Sequence, residues 1–308
     1  MTELLSYQHA VNTIKLLYEH IGYQLPKKTN GQNIYNEFNI DIKDSKISSL
    51  FAFIDEYISI LRTISQFYIL AAAEKNTYSG TYYKLINRQI ENLTSIRLLC
   101  SYSLDNNARQ TLRLLHETSL VWTRCLIDEK FFIEYNKSFG LKESNEFWYK
   151  FIRRNKTETY IQEFAKNNNL LWIGNLNEQI IGHMKTITNA ASHTNFTVDS
   201  LTFQSSLFKD TFGDGITLDN SKVTLTYSIM CIAMPFSIIL GQKDWFSISK
   251  NYDMKIIEEN VNVTFSMEYY ENLKKLINLI FLISTKFSNK LNPTANNVSP
   301  QLLRIFTQ

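Results

Sequence analysis

Apolar residues recur at steps of three and four along most of this chain, and that spacing is the signature of amphipathic helices. Leu4, Tyr7, Val11, Ile14, Tyr18 and Ile21 mark one stripe. Ile47, Leu50, Ile54, Tyr57, Leu61, Ile64 and Tyr68 mark a longer one, which Ala71–Ala73 extends. Between them, residues 26–44 are rich in Asn, Lys and Gly and read as a connecting loop. With 9 Gly and 4 Pro in 308 residues, the chain has few of the punctuators that tight-turned β architectures and Gly-rich phosphate loops require.

The same spacing predicts further helices over residues 83–103 and, after Asp105-Asn106-Asn107, from there to Tyr135. Another covers 144–167, with Phe147, Trp148, Phe151 and Ile152 on one side. One follows Gly174-Asn175, with Ile180, Met184, Ile187 and Ala191 as its stripe, and others cover 222–240 and 266–289. From 194 to 221 the helical period is lost, and Phe212-Gly213-Asp214-Gly215 marks a turn. The expected fold is all-α: a single bundle of about seven long helices with one irregular or short β-hairpin insert near 194–221. The helical domain would span 1–290, and a partly ordered C-terminal tail 291–308.

Lys+Arg 32 against Asp+Glu 29 leaves +3, too even a balance to argue for nucleic acid or an anionic membrane from bulk charge. Cys100, Cys125 and Cys231 are odd in number, far apart and set among apolar residues. They read as reduced core thiols, not as a disulfide framework or a zinc site. No CxxC or HxxxH pair is present, so neither a metal nor another cofactor is expected. Met1-Thr2-Glu3-Leu4-Leu5 lacks the basic-then-apolar opening of a secretory signal, which points to the cytoplasm. Residues 223–241 run 19 positions without a charge. Their mean hydropathy, roughly 1.8, lies in the range of a spanning helix. Thr224, Thr226, Tyr227, Ser228, Ser237 and Pro235 inside the run favour a central core helix, apolar all round, over a membrane span.

The most informative stretch is Ser101–Tyr135. Leu112, Leu115, Ser119, Trp122 and Leu126 form its apolar face, and Arg109, Arg113, His116, Glu117 and Arg124 lie beside it. Steps of three, four and seven put Arg109, Arg113, His116 and Glu117 on neighbouring rungs of one side. Apolar flanks make full solvation of that side unexpected, and a buried Arg113 would then need Glu117 as its partner. Arg before Glu is the weaker order for an isolated helix, which assigns the pair to tertiary structure. His193, beside Ser192 at a predicted helix end, is a second contributor that could meet Glu117 across the bundle.

Arg113-Leu114-Leu115-His116-Glu117, continued by Phe131, Phe132 and Tyr135, resembles the Arg-small-Leu-x-Glu helix of a bacterial all-helical domain family of unknown function. The likeness covers the middle third of the chain, and Ser192-His193 resembles that family's later Ser…His element, although there the two are spaced. Arg109 and His116, separated by six residues with Gln110 after the Arg, also resemble the Arg…His helix of HEPN-type domains. That resemblance implies a stress or phage-defence effector that cuts RNA without metal and works as a homodimer. His116 would be the general acid/base, Arg109 would hold the phosphate, and Arg113 and Glu117 would orient them. The alternative is a non-enzymatic helical module that binds a partner protein or small ligand through a buried Arg113/Glu117/His116 patch, with or without His193.

Each of these residues has a structural role beside the functional one. Arg113–Glu117 reads as a buried ion pair, His116 as a half-buried side chain bonded to a carbonyl, and His193 as a helix-end cap. Lys150, Arg153, Arg154 and Lys156 form the densest basic cluster, which reads as a solvated helix face before a phosphate contact. Asp210–Gly215 is half a calcium loop, but Phe212 stands where an oxygen ligand is needed and no terminal Glu follows. Ser119 and Ser192 lack a nucleophile elbow.

Overall fold

The structure, a computed structural model, describes residues 7–21, 48–73, 77–102, 104–192 and 215–241. Among them every regular element is helical: α1 (Tyr7–Ile21), α2 (Ser48–Ala73), α3 (Thr77–Ser101), α4 (Asp105–Ile127), α5 (Glu129–Lys137), α6 (Leu141–Phe147), α7 (Lys156–Asn167), α8 (Leu171–Ser192) and α9 (Gly215–Gly241). A π-helical turn, Trp148–Ile152, and a 3-10 turn, Arg153–Asn155, join α6 to α7. The expectation of an all-α bundle agrees with this. The hairpin does not: residues 215–221 are the first turns of α9, and no strand occurs among the described residues. The rest of that insert, the 26–44 loop, the 266–289 helix, the 291–308 tail and His193 lie outside the described residues.

Two expected helices are broken, each for a local reason. The helix predicted to reach Tyr135 stops at Ile127, because Asp128 is extended (φ −135°, ψ 95°) and its carboxylate accepts from the Phe131 N–H at 3.0 Å. A side chain that caps a new helix outcompetes continuation of the old one. The helix predicted over 144–167 splits at the π-turn and at Arg154 and Asn155, which are both left-handed (φ 61° and 58°). Phe147 and Phe151 keep a common side through the π-turn, 5.1 and 5.4 Å from Phe131, whereas Trp148, expected on the same side, is 47% exposed. Gly174 does not precede a helix but lies inside α8, where a Cβ would come within 3.2 Å of Gln162 Nε2 on α7.

The core is built around α9, which packs against α2, α3, α4 and α8. Leu225, Tyr227, Ile229, Ile232, Met234 and Phe236 are buried, and so are Thr224, Thr226 and Ser228. Burial on every side by helices of the same chain explains the uncharged run without a bilayer. Among the described residues no helix is long and apolar enough to cross a membrane. Trp122 on α4 is fully buried and meets Phe236 edge-on at 6.0 Å. Cys100, Cys125 and Cys231 are free and buried in this interior. Asp55 of α2 accepts from Arg97 Nε of α3 at 3.0 Å, and that guanidinium is wholly buried.

Candidate functional site

The α4 patch opens into a cleft of about 740 Å³ bounded by α3, α4, the α5–α7 wall and α8. Thr81, Lys84, Leu85 and Arg88 line it from α3, at the three-, four- and seven-residue steps of one helix face. Arg113, His116, Glu117, Leu120 and Val121 line it from α4 by the same geometry. The opposite wall carries Phe147, Trp148, Arg153, Arg154, Asn155 and Glu158. Thr81 Oγ1 donates to Asn136 Oδ1 and ties α3 to α5 at the rim.

The four charged or polar residues predicted on one side of α4 divide into two groups. Arg113, His116 and Glu117 line the cleft. Arg109 is not among its lining residues: its Nε lies 2.7 Å from Asp105 Oδ2, and Asp105 Oδ1 accepts from Thr224 Oγ1 of α9 at 2.8 Å. Two helical turns separate Arg109 from His116, about 10 Å along the axis. Asp105, anchored on α9, thus holds Arg109 one turn back toward that helix. Burial pushes the Asp105 carboxyl above its ordinary range, and the Arg109 charge and the Thr224 hydroxyl partly offset this.

The pair Arg113–Glu117, expected to be buried, is half exposed at the cleft mouth, with Nε and Oε1 3.2 Å apart. The buried member of the group is His116, only 6% exposed. Burial pushes its pKa down to about 4, so the imidazole is neutral at pH 7. Its Nε2 is buried and has no hydrogen-bond partner, not the carbonyl expected from the sequence.

The basic cluster of residues 150–156 also divides. Lys150 Nζ pairs with Glu134 at 3.1 Å, and Lys156 Nζ caps the π-turn by donating to the Tyr149 and Lys150 carbonyls at 2.9 and 3.0 Å. Arg153 and Arg154 face the cleft. The left-handed backbone at Arg154 costs about 1 kcal/mol or more, so something must hold the turn. Thr157 Oγ1 donates to the Phe151 carbonyl across it at 2.9 Å. Buried Arg124 donates from Nη1 to the same carbonyl at 3.3 Å and to Thr157 Oγ1 at 3.1 Å. Its guanidinium stacks between Phe131 (4.5 Å) and Tyr160 (4.3 Å). π-turns and strained left-handed residues concentrate at functional sites, and here both form one wall of the cleft.

No protein-family model, curated protein or solved structure matches the chain.

Among the described residues no group of three or more His, Cys, Asp or Glu side chains could hold a metal ion. The cleft contains five basic side chains (Lys84, Arg88, Arg113, Arg153 and Arg154) against two acidic ones, Glu117 and Glu158. Sequence reading singled out Arg113, His116 and Glu117 but missed Lys84 and Arg88. Their four-residue spacing was a visible signal, whereas the fold that turns them toward Arg153 and Arg154 was not.

Proposed function

We propose that the chain is a non-enzymatic helical module that binds a small ligand in this cleft. The observation that carries the reading is His116, a nine-tenths buried, neutral imidazole that lines the cleft with its Nε2 unpartnered. Buried polar atoms are nearly always paired, and a bound ligand or water is the ordinary completion of such a site. The cleft volume lies in the usual range for small-molecule sites, and apolar and charged side chains share its walls. The test is thermal denaturation of the full chain with a panel of small carboxylates, sulfates, phosphates and neutral nucleosides. At least one class should raise the midpoint, and His116→Phe, which takes the imidazole out of the cleft lining, should abolish the shift. A panel with no stabiliser would sink the reading.

Ribonuclease activity, implied by the HEPN resemblance, is the second reading. In its favour, His116 and Arg113 line one cleft. Against it, Arg109 is held by Asp105 outside the cleft. A His with a pKa of about 4 is also a poor proton donor at neutral pH. Degradation of total RNA in EDTA, lost in His116→Ala, would establish cleavage and displace the binding reading.

A further inference from the structure

Resting on that binding reading, we infer that the ligand is an organic phosphate whose phosphoryl group sits at the N-terminus of α7, facing Arg153 and Arg154. Helix N-termini present unpaired N–H groups and a positive field, which suits a phosphoryl group. The N-cap of α7, Asn155, is left-handed and makes no side-chain cap bond. Thr157, the nearest hydroxyl, donates its proton to the Phe151 carbonyl across the turn. Asn155, Thr157 and Glu158 all line the cleft, so the start of α7 opens into it.

The charge of the cleft supports the same ligand. Lys84, Arg88, Arg153 and Arg154 line it and have no carboxylate partner among the described residues, while Glu117 is taken by Arg113. Converging cations repel one another, and a dianion would match the surplus of five basic over two acidic side chains. His116, buried and unpartnered at Nε2, lines the same cleft. Phe147, Trp148 and Tyr135 line the cleft with these charges, and this favours a phosphate carrying a flat organic group over a bare ion.

The experiment is titration calorimetry of the full chain with AMP, adenosine, inorganic phosphate, a small dicarboxylate and a 5′-phosphorylated oligoribonucleotide. AMP should bind about tenfold or more tightly than adenosine, and added salt should weaken it. Arg153→Gln with Arg154→Gln should cut AMP affinity about tenfold or more, whereas Lys130→Gln, on the exposed side of α5, should not change it. All three side chains are exposed, so the variants should fold. Binding of the oligoribonucleotide without AMP would keep the phosphoryl site and identify an RNA end as its source. Binding of the dicarboxylate without any phosphate would overturn the inference and leave the binding reading standing. AMP binding unchanged by the double variant would overturn the site. No binding by any probe, with no shift across the wider panel, would remove both.

Discussion

Arg124 of α4 and the Phe151 carbonyl of the π-turn are joined at 3.3 Å through Nη1, the same nitrogen that reaches Thr157 at the start of α7. One buried guanidinium therefore holds both ends of the turn that carries Arg153 and Arg154 into the cleft. Its Nε meets Asp128 Oδ2 at 3.3 Å, so the residue that ends α4 is fixed by the same side chain.

Loss of Arg124 should therefore be severe. Arg124→Met keeps most of the volume between Phe131 and Tyr160 but leaves Asp128 and the Phe151 carbonyl without their donor. Breaking a buried ion pair by removing one partner costs about 3–5 kcal/mol. Arg124→Lys should recover little, because an ammonium lacks the planar fork and stacks less well on the two rings. Urea denaturation at neutral pH measures this, and a loss under about 1 kcal/mol would show that Arg124 does not hold the turn.

His116 should give stability a pH dependence of known sign. Its folded pKa is depressed by burial to about 4, below the ordinary value of 6.5. The unfolded chain therefore takes up the proton first as pH falls. The contribution is fully present above about pH 6.5 and is lost as pH falls toward 4, amounting to about 3 kcal/mol over the whole window. His116→Gln should be less stable than wild type at neutral pH, and the difference should shrink between pH 6.5 and 4. Denaturation midpoints of the two proteins at pH 7, 5.5 and 4.5 check this, and parallel curves would contradict it.

The period of the apolar residues made α2, α3 and the core role of α9 readable in advance, since Leu50, Ile54, Tyr57, Leu61 and Ile64 all fall on buried positions. The breaks were not readable. Asp128 and Arg154 each stop a helix through a local hydrogen bond or a left-handed backbone, and neither leaves a mark on hydrophobic spacing. The site was legible in part. Spacing alone placed Arg109 and His116 on one helix face, but the bond from Thr224 of α9 to Asp105, the partner that keeps Arg109 outside the cleft lining, left no mark on that spacing. The buried pair Arg97–Asp55 passed unnoticed because its members lie 42 residues apart.

Arg154→Gly should separate stability from binding. The residue is exposed at φ 61°, a conformation glycine adopts without steric penalty. Removal of the strain should stabilise the fold by about 0.5–1 kcal/mol, offset in part by the greater freedom of glycine in the unfolded chain. Affinity for AMP should fall in the same variant, because one of the cleft cations is gone. Asn155→Gly, where asparagine already tolerates the left-handed region, should change stability less. Thermal midpoints and AMP titrations on the two variants decide this, and a destabilised Arg154→Gly protein would mean that the turn is held by the Arg154 side chain itself.

The Asp55–Arg97 pair should behave as a coupled unit. Arg97 is fully buried, its guanidinium lies 5.5 Å from the Phe51 ring centre, and Asp55 accepts from its Nε. Asp55→Leu leaves that cation in the core without its carboxylate and should cost about 3–5 kcal/mol. Arg97→Met should also destabilise, by taking the guanidinium away from the Asp55 carboxylate, which is only 12% exposed. The double variant removes both charges and fills the space with apolar atoms, so it should be more stable than Asp55→Leu alone. A double-mutant cycle in urea reads this directly: a coupling energy above about 2 kcal/mol is expected, and strict additivity would show that the two charges do not depend on each other.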